Sequence, residues 1–337
     1  MNKNHKNTII YLAAMVVALL LGACSDDMFE EGGQQHSNDR IQLSGDIDQL
    51  AVTRVNDNGF CNGDVMGVYI VDYDGGTPGT LKTSGNRGDN VRHTFDEPNY
   101  KWNSAYDLYW KDKHTHIDVY GYYPFADPES VDDYQFEVKR DQSKPSENGE
   151  MGGYEASDFL WGKVADVAPT TSVIRLPMKH RMANARVTLV EGSGFASGEW
   201  AGTEKTVLAP NLIRKASINL ADGTVTANGS VEATATMPSR SGNEWRAIVV
   251  PQTVKAGETL FSITIGGVPY KFAKNEAFTY MPGKMSNFSI RVDKKTGSGQ
   301  YQLTLISESI TPWENDLVSH DATAKEYVVV NCPTAGG

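Results

Sequence analysis

Apolar residues in this chain come in short runs broken by clusters of Gly, Asp, Asn and Pro, and no segment sustains a 3.6-residue apolar period. A core-facing helix needs that period to turn one face inward, so the chain is left with strands. Runs with strand character span 41–44, 65–72, 117–123, 159–164, 173–178 and 185–190, separated by breaks such as Asp74-Gly75-Gly76-Thr77-Pro78-Gly79. A second series follows at 246–250, 260–265, 270–272, 288–292 and 301–306. Ile218-Asn219-Leu220 and Thr224-Val225-Thr226 flank Asp222-Gly223, a dipeptide that tolerates the positive φ of a tight hairpin. Many short strands at regular spacing predict an all-β chain built from sandwiches. At 337 residues the length suits two domains, because single cores stop growing efficiently below that size. The small-residue break at Glu191-Gly192-Ser193-Gly194 is the natural division, with one domain over 41–194 and a second over 195–321.

The first residues follow a different logic. Lys3, His5 and Lys6 form a basic start, and the apolar run from Ile9 to Leu21 is short for a bilayer span, so residues 1–23 read as a signal peptide. It ends in Leu21-Gly22-Ala23-Cys24, which resembles the bacterial lipobox. That resemblance implies acylation of Cys24 and anchoring to the outer membrane. Ser25-Asp26-Asp27 is similar to the acidic signal that sends lipoproteins of Bacteroidetes to the cell surface. Residues 24–40 hold few apolar side chains and read as a polar tether. With Cys24 given to lipid, Cys61 and Cys332 remain as a possible disulfide or as two thiols.

Charge and motif content narrow the function. A net charge of −11 with no Lys/Arg-rich stripe argues against nucleic acid as a partner. His114, His116 and Asp118 alternate along a strand and could share one face with a metal, although the exposed start of a half-buried strand has the same pattern. His180, beside Arg181, reads as a structural histidine. Nucleophile elbows, His-Glu-x-x-His sites and phosphate-cradling loops are missing, which points away from an enzyme, and no metal or other cofactor is expected. Trp102, Tyr106, Tyr109 and Trp110 could stack on sugar rings or pack in a core.

Several segments occur in an order that resembles the fimbrillin family of bacterial surface proteins. Thr53-Arg54 precedes Asn62-Gly63-Asp64-Val65-Met66-Gly67-Val68-Tyr69, and Tyr120-Gly121-Tyr122-Tyr123-Pro124-Phe125 follows. Next come Asp158-Phe159-Leu160-Trp161-Gly162 and Met178-Lys179-His180-Arg181-Met182-Ala183. Val249-Val250-Pro251-Gln252, Phe278-Thr279-Tyr280-Met281-Pro282-Gly283-Lys284 and Ile310-Thr311-Pro312-Trp313 complete the series. Trp161-Gly162 departs from the small-residue ending usual at that point. The resemblance implies two tandem β-sandwich domains of transthyretin-like or Greek-key type, export as a lipoprotein, and a place in a surface fimbria. Other pilin subunits are then the expected partners, together with a host or bacterial surface ligand whose identity stays open.

Assembly expectations follow from the ends of the chain. An Arg-specific surface protease is expected to cut after Arg54, beside the polar Asn56-Asp57-Asn58-Gly59, with Arg40 as the competing site. The tail 322–337 contains Tyr327-Val328-Val329-Val330, an apolar β-branched run suited to act as a donor strand in the groove left by the strand near Ile41. The tail could instead complete its own second domain. A lipid-anchored protein that binds glycans or host ligands without polymerising, or an anchor or tip subunit of the fimbria, is the alternative reading.

Overall fold

The computed structural model describes residues 39–47, 60–147 and 150–313, and twenty strands run through them beside one short α-helix, α1 (Glu199–Gly202), and two single 3-10 turns. The chain is all-β, as its apolar spacing predicts. The first sheet holds β1 (Leu43–Ile47), β2 (Val65–Asp72), β3 (Gly88–Asp96), β4 (Lys101–Ser104), β5 (Ile117–Tyr123), β7 (Leu160–Val167) and β8 (Ile174–His180). Their order is β1-β8-β7-β5-β2-β3-β4, so β1 and β4 are its two ends.

Burial along β2 and β5 shows why these strands are almost continuously apolar. On one face Val68, Ile70, Ile117 and Val119 pack with Leu160, Leu176 and Met178 in a core enclosed by the sheet's own curl. On the other face Tyr69, Val71, Tyr120 and Tyr122 meet Phe159, Ile218, Leu220, Ile248 and Trp313. Both faces are covered, so neither side of the pleat can carry exposed polar groups.

The second half contains a five-stranded sheet, β13 (Ser239–Ser241), β14 (Glu244–Val249), β9 (Ala183–Glu191), β19 (Lys284–Lys294) and β20 (Tyr301–Pro312), in that order. It shares a core with the sheet of β10 (Lys205–Leu208), β16 (Thr259–Ile265) and β17 (Val268–Ala273) and with the pair β15 (Gln252–Val254) and β18 (Phe278–Tyr280). β9 precedes the division expected at residue 194, yet it lies between β14 and β19, and its Ala183, Ala185, Val187 and Leu189 belong to this core. Composition marks the loop after β9, whereas the strand's partners lie far along the chain, and only pairing assigns it to a sheet.

A small third sheet joins the two halves. β6 (Tyr134–Glu137) pairs with β11 (Lys215–Asn219), which continues to β12 (Thr224–Ala227). The side chain of Gln142 acts as a further partner for β14, accepting from the Ile248 amide and donating to its carbonyl, both at 2.8 Å. The Asp222-Gly223 hairpin forms with Asn219 opposite Thr224, and Gly223 takes φ 72°. Leu220 leaves the ladder to enter the shared core, its amide bonded to the Val131 carbonyl at 2.7 Å and its carbonyl to the Trp161 indole at 2.8 Å.

Candidate functional site

β1 is a five-residue strand that pairs with β8 alone, in parallel, with Leu43 opposite Ile174 and Ile47 opposite Met178. Ile41, at 4% exposure, and Leu43, at 6%, plug the end of the first core beside Trp102, Leu108 and Trp110. Three backbone bonds fix the entry to the strand: Ile41 N–H to Leu108 at 2.7 Å, Trp110 N–H to Asp39 at 2.9 Å, and Ile174 N–H to Gln42 at 2.9 Å. Ion pairs add Arg40 with Asp107 at 2.8 Å and Arg175 with Asp46 at 3.2 Å, both solvent-facing and individually weak.

The far edge of β1 faces β4 without a ladder between them. The Trp102 indole crosses this gap and donates to the Gly45 carbonyl at 3.0 Å, so the two ends of the sheet meet through one side chain. A cavity of about 820 Å³ runs along the seam, lined by β1, Phe60, Phe95, Tyr100 and Trp102 among others. Phe60 closes its floor, with its ring edge-on to Trp102 at 4.8 Å and to Tyr123 at 5.4 Å. Gly45 keeps this position narrow, because a β-carbon would stand 2.9 Å from the Met66 sulfur, which would have to shift, and in contact with the Trp102 ring at 3.5 Å. A glycine within a strand is the signal for such close approach, but Gly45 sits between Ser44 and Asp46, just past the apolar run at 41–44, so motif reasoning missed this seat.

Arg40 lies at this site, in an isolated bridge to Tyr109. Cys24, Arg54, Cys332 and Tyr327, Val328, Val329 and Val330 lie outside the described residues. Cys61 sits in the turn that leads into β2, its amide donating to the Asp64 carboxylate at 2.6 Å. Burial pushes the Asp64 carboxyl up to about 6, although the Cys61 amide and the Tyr123 hydroxyl both pull the other way.

The other sequence candidates fall in packed surroundings. Asp118 is buried and receives the Lys163 ammonium at 2.9 Å and the Asp166 amide at 2.9 Å, while His116 meets Asp166 at 2.7 Å. No group of three potential metal ligands occurs among the described residues. His180 Nδ1 donates to the Asp158 carboxylate at 2.9 Å, and the ring stacks on Trp313 with centroids 4.0 Å apart. Trp102 and Trp110 are core residues, whereas Tyr106 is exposed. Two of the four rings considered for sugar stacking are therefore taken by packing.

Comparison with known proteins follows the same lines. The fimbrillin-like family matches residues 53–313. A candidate cell adhesion protein from Bacteroides uniformis is 15% identical with a TM-score of 0.58, and the match covers 83% of this chain and 100% of that one. A candidate cell adhesion protein from Bacteroides ovatus is 14% identical with a TM-score of 0.59, over 81% of this chain and 97% of that one. A fimbrial protein from Bacteroides vulgatus is 12% identical with a TM-score of 0.48, over 81% and 99%. No curated protein matches. At these identities the Bacteroides uniformis and Bacteroides ovatus structures share the fold, and the sequence match over residues 53–313 carries the assignment: the chain belongs to the fimbrillin-like family.

Proposed function

We propose that this structural, non-enzymatic protein is a subunit of a cell-surface fimbria that is exported as a lipoprotein acylated at Cys24 and assembled by strand exchange. The observation that carries the reading is the seat of β1, a short end strand that buries Leu43, with Ile41 buried just ahead of it, yet pairs with one neighbour only. Residues 48–64, which include Arg54, are the covalent link from β1 to β2. A cut after Arg54 turns a tethered docking into a bimolecular one and removes the effective concentration that holds the strand in place. A cut after Arg40 would leave Ile41 to Ile47 attached to the subunit, so it opens no groove. Loss of β1 would uncover the β8 edge and the apolar walls made by Met66, Trp102, Leu108 and Ile174, a surface suited to pairing with a new strand. The Tyr327–Val330 run of the next copy supplies one, with main-chain bonds giving affinity and alternate side chains giving register.

Sequencing the N-terminus of the protein recovered from surface fibres tests this reading. Val55 is expected as the first residue. A subunit in fibres that begins at Ile41 or at acylated Cys24 would overturn the release of β1.

A further inference from the structure

The seam at β1 also constrains which residues can replace it. At Leu43 and Ile41 the groove offers apolar space, and at Gly45 it admits only a small side chain, since a β-carbon there already displaces the Met66 sulfur and touches the Trp102 ring. Any replacement strand meets the same sequence of two apolar seats followed, two residues on, by a narrow one. Backbone direction matters as well. The Ile174 amide bonds to the Gln42 carbonyl, while the Gly45 carbonyl points to Trp102. Even positions of β1 thus serve the β8 ladder, and odd positions turn their main chain toward the seam.

Resting on the strand-exchange reading above, we infer that the tail of a second copy of this chain enters the groove parallel to β8, with Val328, Val330 and Cys332 in the seats of Ile41, Leu43 and Gly45. Among the four registers that seat two residues of the Tyr327–Val330 run in the apolar positions, the tail's own sequence selects this one. Running antiparallel with Val330 and Val328 in the apolar seats, the strand would drive Glu326 into the narrow one, and the alternate face would put Lys325 there. Either choice buries an unpaired charge against Met66 and an indole. The other parallel register, with Tyr327 and Val329 in the apolar seats, sets the Asn331 amide against the same apolar walls. Cys332 is small and apolar, and it meets Met66, a flexible side chain that can shift by rotamer change. Its carbonyl takes the place of the Gly45 carbonyl as acceptor for the Trp102 indole, so the buried donor stays satisfied. Pro333 then falls at the position of Asp46 and ends the ladder, because it has no amide to donate to β8.

Cysteine pairing in assembled fibres reads the register directly. Ser44 is the neighbour of Arg175 on β8, so in this register Asn331 of one copy lies beside Arg175 of the next. The full chain is expressed with Cys61→Ser, Cys332→Ala and Arg175→Cys, and single cysteines are introduced one at a time at every position from Ala322 to Gly337. Asn331→Cys is expected to convert fibre subunits into a covalent ladder, with little product from the other positions. A maximum at Val330→Cys or Tyr327→Cys would overturn the register while leaving strand exchange intact. Fibres that form with no cross-link from any tail position would instead remove the exchange reading on which it rests. A second variant does not depend on engineered cysteines. Cys332→Trp should be secreted as a folded monomer but lose fibre formation, whereas Cys332→Ala should assemble. Normal fibres from Cys332→Trp would overturn the narrow seat.

Discussion

Replacing Leu43 with Ala should loosen β1 without unfolding the rest of the protein. Leu43 is 6% exposed and packs in the first core with Ile41, Met66, Trp102 and Ile174. Leu-to-Ala substitutions at buried sites cost about 2–5 kcal/mol, and sites that relax cost least. This one borders an open cavity, which places it near the lower end, at about 2–3 kcal/mol. Each 1.4 kcal/mol is about tenfold, so the population with β1 released should rise roughly 30- to 150-fold. Amide hydrogen exchange at Ile174 reads that population, because its N–H is held by the carbonyl of Gln42, the residue that leads into β1. Exchange at Val119, in the middle of the sheet, needs global unfolding. In the unmodified protein Ile174 should exchange faster than Val119 and with little dependence on low urea, since releasing β1 exposes little surface. In Leu43→Ala its rate should rise by the stated factor and keep that flat dependence. Equal protection and an equal urea slope at the two amides would refute the idea that β1 opens as a separate unit.

Three further outcomes are expected. Burial raises the folded-state pKa of Asp64 above its unfolded value of 3.8 to about 6, so its contribution to stability is fully present below the lower value and is lost as pH rises through the upper one. The total is about 3 kcal/mol, and Asp64→Asn should flatten urea-unfolding stability between those two pH values; an unchanged slope would place the titration elsewhere. Gly223→Ala adds a β-carbon 2.6 Å from the Trp161 ring at a residue with φ 72°, and should lower stability by about 1–3 kcal/mol in thermal or chemical unfolding, where a neutral result would show that the hairpin moves freely from the shared core. Cys24→Ser should abolish incorporation of labelled fatty acid and retention at the outer membrane, and label on that variant would exclude Cys24 as the acylation site.

Local patterning determined a great deal about this chain. Short apolar runs without helical period, bounded by Gly, Asp and Asn, carry the all-β class and the positions of most strands, because side-chain alternation and turn chemistry are properties of neighbouring residues. Asp222-Gly223 announced its hairpin for the same reason. Tertiary structure decided everything that depends on which strand meets which. β9 reads as the end of the first half but is the middle of the second sheet, and Leu220 reads as a hairpin residue but is a core residue bonded to Trp161 and Val131. Trp102 and Trp110 are equally aromatic whether exposed or buried, and only the curl of the sheet turns them inward, bringing Trp102 on β4 to the carbonyl of Gly45 on β1. That contact joins residues distant in sequence at the two ends of one sheet. Strand pairing is non-local, so a run of residues can specify its own pleat and still leave open whether it lies in the middle of a sheet or at a releasable end.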